Sequence, residues 1–295
     1  MTNKLTLGRT AFLAINYALL VSFAFLCLLP MVHVLAISLS GGTAAASGAV
    51  TLLPMDFTLK AYEFVANKPE FIQSLLVSFQ RVLIGVPLDM LLTILIAYPL
   101  SKEDRSLSFR KGYITFFMIT ILFGGGLIPW YMIINMTGLI DNLFALILPG
   151  AVSVFNIILL FNFFRNLPKE IEEAAYIDGA GHWYTLWRIF VPLSMPAIAT
   201  LILFNAVGHW NSWFDGIILM NRPENYPLQS YLQTVVVQQG LEKMITIQDT
   251  ALFLEVSNRT NKAAQIFIGA LPILLVYPFL QRYFMSGIVL GSVKG

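Results

Sequence analysis

The side chains with most to offer chemically lie between Asn205 and Gly216. At about 100° per residue, Asn205, Gly208, His209, Ser212, Trp213, Asp215 and Gly216 gather on one half of a helix, with Val207, Phe214 and Ile218 opposite. Amide, hydroxyl and carboxylate groups bind ligand hydroxyls, and an indole stacks on C–H surfaces. The face therefore suits a passage for a polyhydroxylated ligand; polar packing against another subunit would use the same residues. A metal site is not expected, because no second histidine or acid stands at ligand spacing from His209, and His33 and His182 belong to other segments. Cys27 is the single cysteine, which excludes an intrachain disulfide and a thiolate cluster. A phosphate-binding loop needs a Gly-Lys pair, and none occurs. No acid, base and nucleophile cluster together either, so this chain is expected to be no enzyme and to hold no cofactor.

The elements that position these residues are set by hydropathy. Of 295 residues 57% are hydrophobic and 12% charged, about half the roughly 25% of soluble domains, so the chain belongs in lipid. The net charge of +2 is scattered in short clusters, which argues against nucleic acid as a partner. Uncharged runs predict six crossings near 11–39, 71–100, 112–134, 143–164, 193–220 and 263–284. The first run is far longer than a signal core of about 7–15 residues and is read as a retained helix. Arg81 and Asp89 lie inside the second run; Arg81 is expected to snorkel toward the external surface, and Asp89 to be deeper and structural. The stretch 221–262 is the longest polar segment, and residues 1–295 are read as a single transmembrane domain. With the N-terminus inside, 11 Lys and Arg residues fall in cytoplasmic segments and 6 outside, which favours both termini in the cytoplasm.

That orientation places residues 168–192 in the cytoplasm. Pro168 suits a first helical turn, Glu170, Glu172 and Glu173 complement the helix dipole, and Gly179 supplies a left-handed cap. Trp183, Leu186, Trp187 and Phe190 then recur on one apolar face, and Pro192 and Pro196 mark the entry to the fifth crossing. An interfacial amphipathic helix would look similar. The spacing adds more: Glu173, Ala174, Ala175, Gly179, Ile189 and Pro192 resemble the EAA loop of binding-protein-dependent ABC permeases, with Val191 where Leu is usual.

This resemblance implies an all-α, six-span permease of the type I importer, MetI-like fold in a bacterial inner membrane. It also implies a coupling role for Glu172, Glu173, Ala174, Ala175, Asp178, Gly179, Ile189 and Pro192 against a cytoplasmic ATPase, with ATP and magnesium on the partner. Pro54, Phe57, Thr58, Leu59 and Tyr62 are similar to an external segment of the carbohydrate branch, the MalG-like permeases. The ending Gly291, Ser292, Val293, Lys294, Gly295 is similar to that branch's tail, which reaches the ATPase. Phe123–Tyr131 and the 221–262 loop look like the LplC-type permeases of polysaccharide and alginate-fragment importers. The implied partners are a second permease, two ATPases, an external sugar-binding protein, a carbohydrate and membrane lipid. Gly124, Gly125 and Gly126 are expected to let a neighbouring backbone approach, and Trp130 and Tyr131 to lie in an interfacial belt. An amino-acid or peptide permease shares the EAA pattern without the carbohydrate-type segments. An ion-coupled transporter would have no use for the loop and usually shows repeats that are missing here.

Overall fold

The computed structural model describes residues 7–102, 109–235, 259–276 and 278. Among these there is no strand. Two compact units divide the chain: Met1–Pro69 with Thr234–Leu271, and Glu70–Gln233 with Pro272–Gly295.

In the first unit α1 runs Leu7–Ser38 and is followed by the short helices α2 (Gly42–Ala46) and α3 (Lys60–Ala66). Most of α1 presents bare apolar side chains such as Phe12, Phe23 and Phe25, a surface compatible with lipid and not with water. Its C-terminal end is tied down. Ser40 Oγ donates to the Ala36 carbonyl at 2.6 Å and accepts from Met55 N at 3.0 Å, while Thr58 N donates to the Leu39 carbonyl at 3.0 Å. Tyr62 and Ser38 share a hydroxyl bond of 2.8 Å. Thr58 and Tyr62, two residues of the carbohydrate-type segment, thus anchor it to the end of α1.

The second unit is built on α4, Pro69–Ser101, 33 residues that at about 1.5 Å each exceed the bilayer core. α5 (Arg110–Leu122), α6 (Leu127–Met136), α7 (Val154–Arg165), α8 (Lys169–Ile177), α9 (His182–Thr185), α10 (Val191–Leu193), α11 (Met195–Asn211) and α12 (Phe214–Leu219) follow. α4, α7 and α11 share an apolar core around Met90, Ile94, Ala97, Ile157, Leu160, Ile198 and Leu201, closed below by Tyr98, Phe164, Leu186 and Phe190.

The crossings are less straight than the hydropathy runs suggest. α1 and α4 are long and apolar enough to span a membrane, and the total among the described residues rises to five if each bent pair forms one span. The third run breaks by 114° between α5 and α6, at Phe123–Gly126, where Gly126 has φ +82°. Among the described residues nothing lies within 4 Å of a Cβ built at Gly124 or Gly126, and the positive φ of Gly126 turns the chain there. The fourth run bends by 47° between the tight turns at 143–150 and α7, and the fifth by 81° between the helix ending at Leu193 and α11. The fifth breaks again at Ser212 and Trp213, so residues 205–216 do not form one continuous helical wheel. The last helical run is described over 259–276.

Candidate functional site

Arg81, Gly85 and Asp89 recur at i, i+4 and i+8 on one face of α4, and that face receives the end of α11. His209 lies over Gly85 so closely that a Cβ there would stand 2.7 Å from its Nε2. The missing side chain lets the imidazole reach both charged neighbours. Arg81 Nε donates to His209 Nδ1 at 3.3 Å, and His209 Nε2 meets Asp89 Oδ2 at 2.8 Å. The Arg81 guanidinium also pairs with the carboxylate of Asp215 and donates to the Leu146 carbonyl at 3.0 Å.

Arg81 is 3% exposed, which corrects the expected snorkelling: its charge is matched by Asp215 inside the protein and does not seek a surface. Asp215 is held in turn by Ser212 Oγ at 2.8 Å and by the Gly216 amide at 2.9 Å. Deeper along α11, Asn205 accepts from Asn156 Nδ2 at 2.7 Å and donates to Met90 Sδ at 3.4 Å.

Four of the five predicted pathway residues, Asn205, His209, Ser212 and Asp215, line one cavity of about 380 Å³. Arg81, Asp89, Trp130, Ser153 and Phe204 complete much of its wall. Trp213 does not line it; the break at Ser212 turns its ring against Phe214. Trp130, expected in an interfacial belt, faces this cavity and packs beside Ile134 and Leu146.

The loop at 168–192 forms the second candidate site. α8 begins after Pro168, with Glu170 and Glu172 in its first turn. Its end is a Schellman cap: the Ala180 amide donates to the Ala175 carbonyl at 2.9 Å, the Gly179 amide to Tyr176 at 3.0 Å, and Gly179 takes φ +82°. Glu173, Ala174, Asp178 and Gly179 are exposed, while Ala175 is buried within the chain. Glu172 turns inward, accepting from Lys102 Nζ at 2.6 Å and from Tyr176 Oη at 2.8 Å. Lys102 lies 4.0 and 3.9 Å from the ring centroids of Tyr98 and Phe190. Burial lowers its pKa, and the bond to Glu172 opposes that shift.

The predicted apolar face of the following helix is split. Leu186 and Phe190 are buried, whereas Trp183 is 68% exposed and Trp187 is also exposed. Residues 186–190 form a wider, π-type turn. Ile189 is partly covered and Pro192 exposed. Val293, Lys294 and Gly295 lie outside the described residues.

Two features escaped the sequence reading. Lys102 has little local signal, since only Tyr98 precedes it on α4 and its other partners, Glu172 and Phe190, come from α8 and the π-type turn. The Arg81, Gly85, Asp89 spacing was legible but says nothing of His209. Among the described residues no group of His, Cys, Asp and Glu is arranged to hold a metal ion.

A helical chain that pairs its charges inside an apolar bundle and holds a capped, half-exposed helix outside it is built as a multi-pass membrane permease. The chain belongs to the family of binding-protein-dependent transport system inner membrane components, whose sequence model matches residues 64–289. It is similar to the polygalacturonan/rhamnogalacturonan transport system permease protein YtcP of Bacillus subtilis (strain 168), with 39% identity over 280 residues, 95% of this chain and 96% of that one. Protein LplC of the same organism is 40% identical over 268 residues, 91% and 90% of the two chains. Among solved structures, a chain of a bacterial ABC transporter involved in the import of the acidic polysaccharide alginate matches with a TM-score of 0.85 and 32% identity, covering 96% of this chain and 100% of that one.

Proposed function

We propose that this chain is a permease subunit of an ATP-driven importer for carbohydrates, with oligosaccharide fragments of acidic polysaccharides as its cargo. It forms the passage with a second, homologous permease, receives cargo from an external sugar-binding protein and is driven by two cytoplasmic ATPase subunits that hold ATP and magnesium. Both termini face the cytoplasm. The observation that carries the coupling part is the capped helix α8. It is fastened to the end of α4 through Glu172 and Lys102, and Ile177 at its end (86% exposed) with Trp183 and Tyr184 of the following α9 is left uncovered. Such an apolar surface on a rigid, polar-rimmed element fits a groove in a partner. A push on α8 would reach the core of α4, α7 and α11 through Lys102 and the rings around it.

The test is transport by the assembled complex in vesicles, with its binding protein and oligogalacturonides or alginate oligomers inside or outside. Uptake that requires ATP and the binding protein is the expected result. Uptake driven by an ion gradient in the absence of ATPase subunits would overturn the reading.

A further inference from the structure

The polar side chains around the 380 Å³ cavity can be followed bond by bond. Asp215 is held by Arg81, Ser212 and Gly216, and Asn205 by Asn156 and Met90. Arg81 Nε can only donate, so His209 Nδ1 must accept from it. The ring proton is then on Nε2, and it is donated to Asp89 Oδ2. A neutral imidazole thus holds one oxygen of Asp89. The other, Oδ1, is buried and has no hydrogen-bond partner among the described residues, although Asp89 belongs to the cavity wall. A buried carboxylate oxygen without a partner is costly, and a ligand hydroxyl is what would satisfy it.

Charge points the same way. Arg81 and Asp215 pair with each other, and an imidazole that accepts at Nδ1 and donates at Nε2 brings no countercharge to Asp89. Trp130 adds an aromatic surface, and exposed Pro149, Gly150 and Gly208 leave the cavity open at its rim. We propose that this cavity is a saccharide subsite of this subunit, in which Asp89 accepts a hydroxyl of the sugar ring and turns away a carboxylate. A uronate ring would therefore pass with its hydroxyl edge toward Asp89 and its acid group elsewhere. The inference rests on the carbohydrate-import reading.

The experiment uses the complete complex with its binding protein and compares an oligogalacturonide with its methyl-esterified, neutral counterpart by stimulated ATPase activity and uptake. Each variant is scored as a ratio to wild type for each sugar, which removes the preference of the binding protein. In Asp89→Asn the ratio for the acidic sugar should exceed that for the neutral one by roughly fivefold or more, because a nearby like charge is gone. A parallel change in both ratios would show a structural Asp89 and overturn the subsite alone. Should Asp89→Asn fail to assemble, Ser153→Asp decides. Ser153 lines the same cavity and caps α7, a position that aspartate also serves. The added charge should depress the acidic sugar selectively, and equal effects on both sugars would overturn the proposal. If the wild-type complex responds to neither sugar, the carbohydrate reading itself fails and the subsite falls with it.

Discussion

Arg81 donates to acceptors on three other segments, the Leu146 turn, α11 and α12. Removing it leaves the half-buried Asp215 carboxylate without its cation; for a fully buried pair such a loss costs about 3–5 kcal/mol, which sets the upper end here. Arg81→Met should therefore lower the melting temperature of the detergent-solubilised complex sharply, while Arg81→Met with Asp215→Leu should recover much of the loss. A double variant as unstable as the single one would mean that the pair is not the origin of the effect. Asp141 offers a pH-dependent case outside the spans. It has φ 63° and accepts from Asn225 Nδ2 at 2.8 Å and from the Asn221 and Arg222 amides, with Arg222 Nε 3.0 Å away. The Asn225 bond, ahead of the other contacts, holds its pKa below the ordinary carboxylate value. A depressed folded-state pKa means that the contribution is complete above the ordinary carboxylate range and is lost as the pH falls through the lower, folded value. The 221–225 segment should thus resist proteolysis equally at pH 7 and pH 5.5. Asp141→Asn should loosen it at both, and a strong acid effect in that window would contradict the assignment.

At the scale of elements, α8 depends on its cap and on its fastening. Among the described residues nothing lies within 4 Å of a Cβ at Gly179, so Gly179→Ala meets no clash with them and strains the left-handed backbone by about 1–2 kcal/mol. Gly179→Pro additionally removes the amide that bonds Tyr176. Uptake is expected to fall partly with alanine and to vanish with proline, while both proteins reach the membrane. Normal transport by the proline variant would remove α8 from the coupling route. Lys102→Met keeps the stem between Tyr98 and Phe190 and deletes the charge. Cation–π contacts are worth about 0.5–2 kcal/mol, and the Glu172 ion pair is lost with them. The complex should then hydrolyse ATP with weakened dependence on cargo; unchanged stimulation would show that Lys102 only packs.

For the whole molecule, topology is the decisive measurement. Reporters fused after Lys111 or Arg188 should read cytoplasmic, and reporters within 225–255 external. Opposite readings would place α8 on the wrong face and end the coupling proposal. Purified alone, the chain should hydrolyse no ATP, since its sequence has no Gly-Lys pair for a phosphate loop.

By itself the sequence determined whatever depends on composition or on near neighbours in the chain. Long, mostly uncharged runs marked the membrane helices because a crossing needs about 20 consecutive, predominantly apolar residues. The α8 cap was legible because it is local: the Gly179 amide reaches a carbonyl three residues back and the Ala180 amide one five residues back. Only the tertiary structure decided where the spans bend, since a straight helix and the 114° turn at Phe123–Gly126 need the same hydropathy. It also decided the partners of Arg81: His209 and Asp215 lie 128 and 134 residues away, and no local periodicity records a contact between charges on separate helices. The helical wheel over 205–216 grouped Trp213 with the cavity residues, but the backbone leaves the helix at Ser212. A wheel describes direction only while hydrogen bonds keep the helix continuous, and that continuity is set by packing around Asp215 and Ser230.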